Sequence, residues 1–457
     1  MAEGKLRVSI LDFGAVNGTK ELQTKAIQEA IDHCFKLGGG VVEIPGGEFV
    51  TGGIRLRSNV TIHLLEGASL LGSRNPEDYY ILRDDTLEPV EPRILEKQTM
   101  VNGRSIDGIH YGRRWFNALI KAYRAKNIAV IGEAGSIIDG KNCYDEQGEE
   151  GFRGPHCISF CECDNIELRG YTLQNSANWA HCIWDSRNIV CDGITVLAGH
   201  DGFDVFRCDN VSLTNSRIFS GDDCIAGYDN RDVRIENNEL SSSCSAFRFS
   251  GKRVLIKNCK ANGISRYSHR NTLTKEEQIH DFILPDSENP NHRYRMLSFY
   301  TYYADFRLEI RDVPGEMVIE DCEVDNPEKL FHFNFSGNER WQSNMPLGEI
   351  TLKNVTATNV DKAVIAYGDE KIPLNMTIKD SRIVLGDGYR DECLFKTANL
   401  ESLTLDGFDI ENFHCKTLIK NYGKNNGKID ASGANIVGNQ DYDVMIETDE
   451  TFNIASI

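Results

Sequence analysis

An all-β, right-handed parallel β-helix with an N-terminal capping helix is the fold this sequence predicts, and three observations predict it. The first is a repeat of the form Asn/Asp-Ile/Val-x-Ile/Leu. It appears at Asn165-Ile166-Glu167-Leu168, Asn188-Ile189, Asn210-Val211-Ser212-Leu213, Asp232-Val233-Arg234-Ile235 and Arg253-Val254-Leu255-Ile256. Its first apolar positions are 166, 189, 211, 233 and 254, spacings of 23, 22, 22 and 21 residues. The second is apolar alternation inside each copy, which suits short strands with one face toward a narrow core. The third is that no copy sustains a 3.6-residue apolar stripe, which argues against helical repeats. One such coil cannot bury its apolar edge alone, so coils must stack.

Looser copies follow at Met317, Ile350, Met376, Leu403 and Ile429. Arg169-Gly170 and Asn215-Ser216 suit the tight turns between strands. Near the N-terminus, Ile27, Ala30, Ile31, Cys34 and Phe35 fall on one helical face, and Gly38-Gly39-Gly40 stops the helix. Such a helix would cover the open end of a solenoid. The whole chain, 1–457, reads as one β-helix domain, with a polar, aromatic-rich loop excursion at about 264–310.

Composition narrows the function classes. Hydrophobic residues make up 40% of the chain and charged ones 26%, which excludes a disordered or collagenous chain. No apolar run approaches the roughly 18–20 residues that span a bilayer. No apolar leader follows Met1, so a cytoplasmic location is expected. The formal net charge of −19 argues against a nucleic acid partner. The 14 cysteines lack paired metal-ligand spacing and read as reduced, mostly buried thiols.

The charges concentrate in the copies around 199–251. These read Gly199-His200-Asp201-Gly202-Phe203-Asp204, Ser220-Gly221-Asp222-Asp223-Cys224 and Ser243-Cys244-Ser245-Ala246-Phe247-Arg248. Asp201 and Asp222 are one coil apart, which would stack them about 5 Å from each other. Three carboxylates this close repel, so at least one should hold its proton more tightly than usual. A protonated acid beside ionised partners is what glycosidic cleavage needs. Asp164, Asp209 and Asp232 read as turn caps.

These segments resemble glycoside hydrolase family 28, the polygalacturonase family, over roughly residues 9–262. Asp12-Phe13-Gly14-Ala15, Gly38-Gly39-Gly40-Val41-Val42-Glu43-Ile44-Pro45 and Gly67-Ala68-Ser69-Leu70-Leu71-Gly72-Ser73 begin the likeness. Ile137-Ile138-Asp139-Gly140 and Leu173-Gln174-Asn175-Ser176 continue it, and Gly221-Asp222-Asp223-Cys224, one coil after Asp201-Gly202-Phe203-Asp204, is its most specific part. The resemblance implies inverting hydrolysis of an oligosaccharide, with no metal or cofactor. It implies Asp201, Asp222 and Asp223 as catalytic carboxylates, with Asp223 assigned as acid and Asp201 and Asp222 sharing the base role.

Three departures from the family pattern stand out. Gly199-His200 replaces Asn-Thr, Cys244-Ser245-Ala246 replaces Gly-His-Gly, and no Arg-Ile-Lys segment occurs. They point away from plain polygalacturonan, toward uronate-containing oligosaccharides such as those derived from rhamnogalacturonan. The expected cytoplasmic location favours short oligomers, and an excursion at 264–310 closing one end of the cleft would favour cutting from a chain end. Candidate binding groups are His200, Arg248, His181, Tyr228, Arg266 and Arg270, the last two in a basic cluster with His269, His292, Arg293 and Arg295. Trp179 reads as packing. Two other readings stay open: a lyase of β-helix type, and a non-catalytic carbohydrate-binding solenoid.

Overall fold

The structure, a computed structural model, describes residues 6–79, 100–101, 104–105, 117–148, 151–274, 277, 289–304, 310–335, 345–423, 427–438 and 444–449. The chain divides into two compact units, residues 1–222 with 267–292, and residues 223–266 with 293–457.

In the first unit each coil is three short strands. Strands His156–Cys161, Asp164–Arg169 and Thr172–Gln174 are followed by His181–Trp184, Arg187–Asp192 and Thr195–Ala198, then by Phe203–Phe206, Asp209–Thr214 and Arg217–Ser220. Equivalent strands pair in parallel, with Ile166 beside Ile189 beside Val211, and Leu173 beside Val196 beside Ile218. All six are at most 2% exposed, so the repeated apolar position is the core. Parallel strands joined by such coils form a β-helix, and the right-handed sense follows the rule for parallel crossovers.

The second unit repeats the construction. Val233, Val254, Met317, Ile350, Met376, Leu403 and Ile429 stand in one unbroken register, so the loose copies in the sequence are true coils. Among the residues of the expected excursion, strand Ser298–Thr301 already rejoins the sheet, with Phe247 beside Tyr300. The polar stretch before it includes residues 275–276 and 278–288, which lie outside the described residues.

The asparagine at the head of each copy has a backbone reason. Asn127, Asn165, Asn188 and Asn210 have φ of 55°, 60°, 56° and 57°, a left-handed region that Asn tolerates better than most side chains. Their amides also chain across coils, Asn165 to Asn127 at 2.8 Å and Asn210 to Asn188 at 2.9 Å.

The helix spans Thr24–Lys36 and buries Ile27, Ala30, Ile31 and Cys34. Phe35, expected on that face, is instead 43% exposed: it follows Cys34 by one residue, about 100° around the axis, which turns it off the buried stripe. Gly39 ends the turn after the helix with φ 133°, and a Cβ there would lie 2.6 Å from the Asn59 carbonyl oxygen. No described helix is long and apolar enough to cross a membrane. All 14 cysteines are free thiols, and every one except Cys244 is buried.

Candidate active site

Asp201 and Asp222 sit in consecutive turns of the first unit, each directly after a strand of the same sheet. Ala198 pairs with Ser220, so the coil here is 22 residues long. Asp201 and Asp222, 21 apart, are therefore one residue out of step rather than stacked in register. The turns still approach closely. Gly221 donates its N–H to the Ala198 carbonyl at 3.0 Å. A Cβ on Gly221 would fall 2.3 Å from the Gly199 oxygen and 2.8 Å from the Ser268 oxygen, so only glycine fits. The Asp201 carbonyl accepts from the Ala180 N–H at 2.9 Å, and the Ser220 hydroxyl donates to the Asp222 carbonyl at 2.8 Å. With both backbones held, carboxylate oxygens of Asp201 and Asp222 come within 4.8 Å of each other.

Both aspartates are buried, at 6% and 5% exposure. Two full charges about 4–5 Å apart cost roughly 3–4 kcal/mol at an effective dielectric near 20, so such a pair needs cations or a proton. The fold supplies cations. Arg270 donates its Nε–H to Asp222, and Nη2 of Arg153 lies 3.9 Å from the same carboxylate. Arg153 is itself buried and anchored to the Asn178 side-chain oxygen at 3.0 Å. His269 also faces Asp222, with its ring nitrogen within 4.8 Å of the carboxylate and Nδ1 accepting from the Asn271 N–H at 3.2 Å.

In the second unit, Asp223 is fully buried and takes a hydrogen bond from Arg248 Nη1 at 3.0 Å. The Arg248 guanidinium lies 4.4 Å over the Tyr303 ring, and Tyr303 meets Tyr228 edge-on at 5.1 Å. Asp222 and Asp223 are consecutive, so one peptide bond joins the two clusters.

Residues 106–243, which carry these aspartates, match the family model "Glycosyl hydrolases family 28". Over that segment the chain is similar to the family 28 glycosyl hydrolases. A probable polygalacturonase of Vitis vinifera is 30% identical over 231 residues, 48% of this chain and 43% of that protein. An exo-poly-alpha-D-galacturonosidase of Dickeya chrysanthemi is 27% identical over 255 residues, 48% of this chain and 41% of that protein. The chain thus spans less than half the length of these curated family 28 relatives. Among solved structures, the family 28 exopolygalacturonase of Yersinia enterocolitica superposes with a TM-score of 0.61 at 17% identity, covering 97% of this chain and 78% of that one. The exopolygalacturonase of Thermotoga maritima gives 0.57 at 18% identity, covering 89% and 92%. These two likenesses bear on the fold, a right-handed β-helix.

Two of the expected binding residues, His181 and Tyr228, lie in the core instead. His181 is fully buried, its Nε2 3.0 Å from the Tyr171 hydroxyl and its Nδ1 3.1 Å from the Gly202 oxygen, and burial pulls its pKa down to about 4. It is a neutral core residue with no ring face open to a sugar. Tyr228, at 1% exposure, packs on Tyr303 rather than offering a stacking platform. Arg270 holds Asp222, and Arg248 holds Asp223, so both serve the carboxylates in this state. Arg266 is exposed. The basic cluster is divided among structural pairs: His292 meets Glu277 at 3.0 Å, and Arg295 bonds Asp361. His200 is half-buried, with its ring stacked 6.1 Å from Phe152. Trp179 packs between His156 and Phe206 at 5.6 and 5.4 Å, as expected. Arg153 and its anchor Asn178 escaped sequence reasoning, because neither lies on a repeat position and only the fold brings Arg153 to Asp222.

Proposed function

We propose that the protein is an inverting O-glycosyl hydrolase of uronate-containing oligosaccharides, acting from a chain end, with Asp201, Asp222 and Asp223 as its catalytic carboxylates. The observation that carries this reading is the buried Asp201–Asp222 pair, held within 4.8 Å, with Asp223 next in the chain. In this reading Asp223 donates the proton to the leaving oxygen, and Asp201 and Asp222 share the base role and position the water.

The arginines explain why the substrate should be acidic. Asp222 carries Arg270 and Asp223 carries Arg248, and a guanidinium favours the ionised carboxylate. A proton donor to the leaving oxygen must be protonated, so one carboxylate has to lose its arginine when substrate arrives. A uronate carboxylate is the competitor that can take it, by the same charge-assisted pairing. Binding of an acidic sugar then switches one aspartate from ion-paired to proton-holding, while the others orient water. The Vitis vinifera and Dickeya chrysanthemi relatives, a probable polygalacturonase and an exo-poly-alpha-D-galacturonosidase, support the same substrate class and the same mode of action.

The test is to follow product by proton NMR with short galacturonate oligomers and their neutral, carboxyl-reduced counterparts. We expect the inverted anomer to appear first and the reduced oligomers to turn over slowly. Asp201→Asn, Asp222→Asn and Asp223→Asn should each lose about 10²–10⁴-fold in kcat while still binding. Retained anomeric configuration, or full activity in any of the three variants, would sink the assignment.

A further inference from the structure

A hollow lies in the first unit, away from these aspartates. It has a volume of about 260 Å³ and is lined by Phe35, Arg55, Arg57, Ser58, Tyr123 and Arg124, among others. Three guanidiniums around one hollow are unexpected in a chain of net charge −19. Two of them lie over aromatic rings, Arg57 at 5.5 Å from the Phe35 centroid and Arg124 at 4.8 Å from that of Tyr123. Carboxylates fix their planes through Nε, Asp32 for Arg57 at 2.9 Å and Glu162 for Arg124 at 2.7 Å. Phe35, turned out of the helix core, is one wall of this hollow.

We infer that this hollow is an accessory binding site for a uronate residue of an acidic oligosaccharide, with its carboxylate at the arginines and its ring against Phe35 and Tyr123. The inference rests on the substrate class proposed above. Flat apolar walls set beside fixed guanidiniums suit a ring that carries a carboxylate; a bare inorganic anion would use the arginines and leave the walls idle. The site is separate from the aspartates. Tyr123 stands in register with Cys161, Trp184 and Phe206, three coils before the strand that follows Asp201, or about 14 Å along the stack.

Calorimetric titration of the full-length Asp222→Asn protein with tetragalacturonate tests it. We expect two classes of site. Phe35→Ala and Arg124→Asn, the latter chosen to tolerate the positive φ at position 124, should each weaken one class at least tenfold and leave the other alone. A melting temperature within a few degrees of the parent confirms that either variant is folded. Cellotetraose should not fill the site, and inorganic phosphate should not displace the uronate. A single class that neither variant changes overturns the inference, as does equal competition by phosphate. If wild-type protein hydrolyses nothing yet Arg124-dependent binding persists, the catalytic reading fails and this site stands; hydrolysis without that binding is the reverse.

Discussion

At the scale of single residues, the site is a problem in charge, and the arginines are its solution. Arg270 reads in the sequence as a candidate sugar-binding residue in a basic loop, yet it bonds Asp222 directly. Replacing it by Gln removes a cation from a buried carboxylate, which favours the protonated form. The acidic limb of kcat/KM against pH should therefore move to higher pH in Arg270→Gln, and Arg270→Lys should restore part of the shift. A residue that merely propped the loop would change activity without moving the limb. His181 gives a second prediction, about stability. Its pKa falls from an ordinary 6.5 to about 4 in the folded state. The unfolded chain then binds more protons between those values, so the stabilisation is fully present above about pH 6.5 and is lost as pH falls toward 4. At pH 4.5 that loss is on the order of 2–3 kcal/mol from this one group. Urea unfolding at pH 7 and pH 4.5 should show it, and His181→Gln, less stable at pH 7, should show a smaller drop between the two.

At the scale of elements, what the sequence revealed was whatever repeats. The copies at 166, 189, 211 and 233 were readable because each coil obeys the same constraint: an apolar side chain inward and a residue that accepts positive φ just before it. Even the loose copies from Met317 to Ile429 fell into one register for that reason. Turns obey no such shared constraint. Arg153, anchored by Asn178, and His269 reach Asp222 from unrelated segments, and no spacing in the chain announces that they meet there. The one-residue slip between Asp201 and Asp222 was hidden for the same reason, since the coil length was read from the strand repeat and the aspartates lie outside it. Gly221 is where strand and turn meet. In Gly221→Ala the new methyl would lie well inside contact distance of the Gly199 and Ser268 carbonyl oxygens, neither of which is a flexible side-chain tip. The segment that carries His269 and Arg270 must then shift, and a displacement near 1 Å can cost about 100-fold in rate. We expect Gly221→Ala to lose at least that in kcat while its melting temperature falls only modestly. A variant of full activity would mean that this close approach does not position the site.

Over the whole molecule, the thiols report on both units at once. Fourteen cysteines in an oxidised, disulfide-stapled protein would make stability depend on redox conditions. Here every one is free, and Cys161 ends a strand while Cys163 lies in the turn that follows it. Burial pushes Cys143, Cys157 and Cys163 up to about 12, where almost no thiolate exists at neutral pH. The thiols are thus core side chains of a stacked solenoid, small enough to pack a narrow interior and inert while it stays folded. Cys244 alone is partly exposed. Titration with a chromogenic disulfide reagent at pH 8 should find about one fast thiol in the native protein and all fourteen after denaturation. The rate for the slow thirteen then measures opening of the coils, so it should rise steeply with temperature and with urea, whereas adding a reductant should leave the melting temperature unchanged. Several fast thiols under native conditions would show that the coils open far more readily than their buried, in-register core implies.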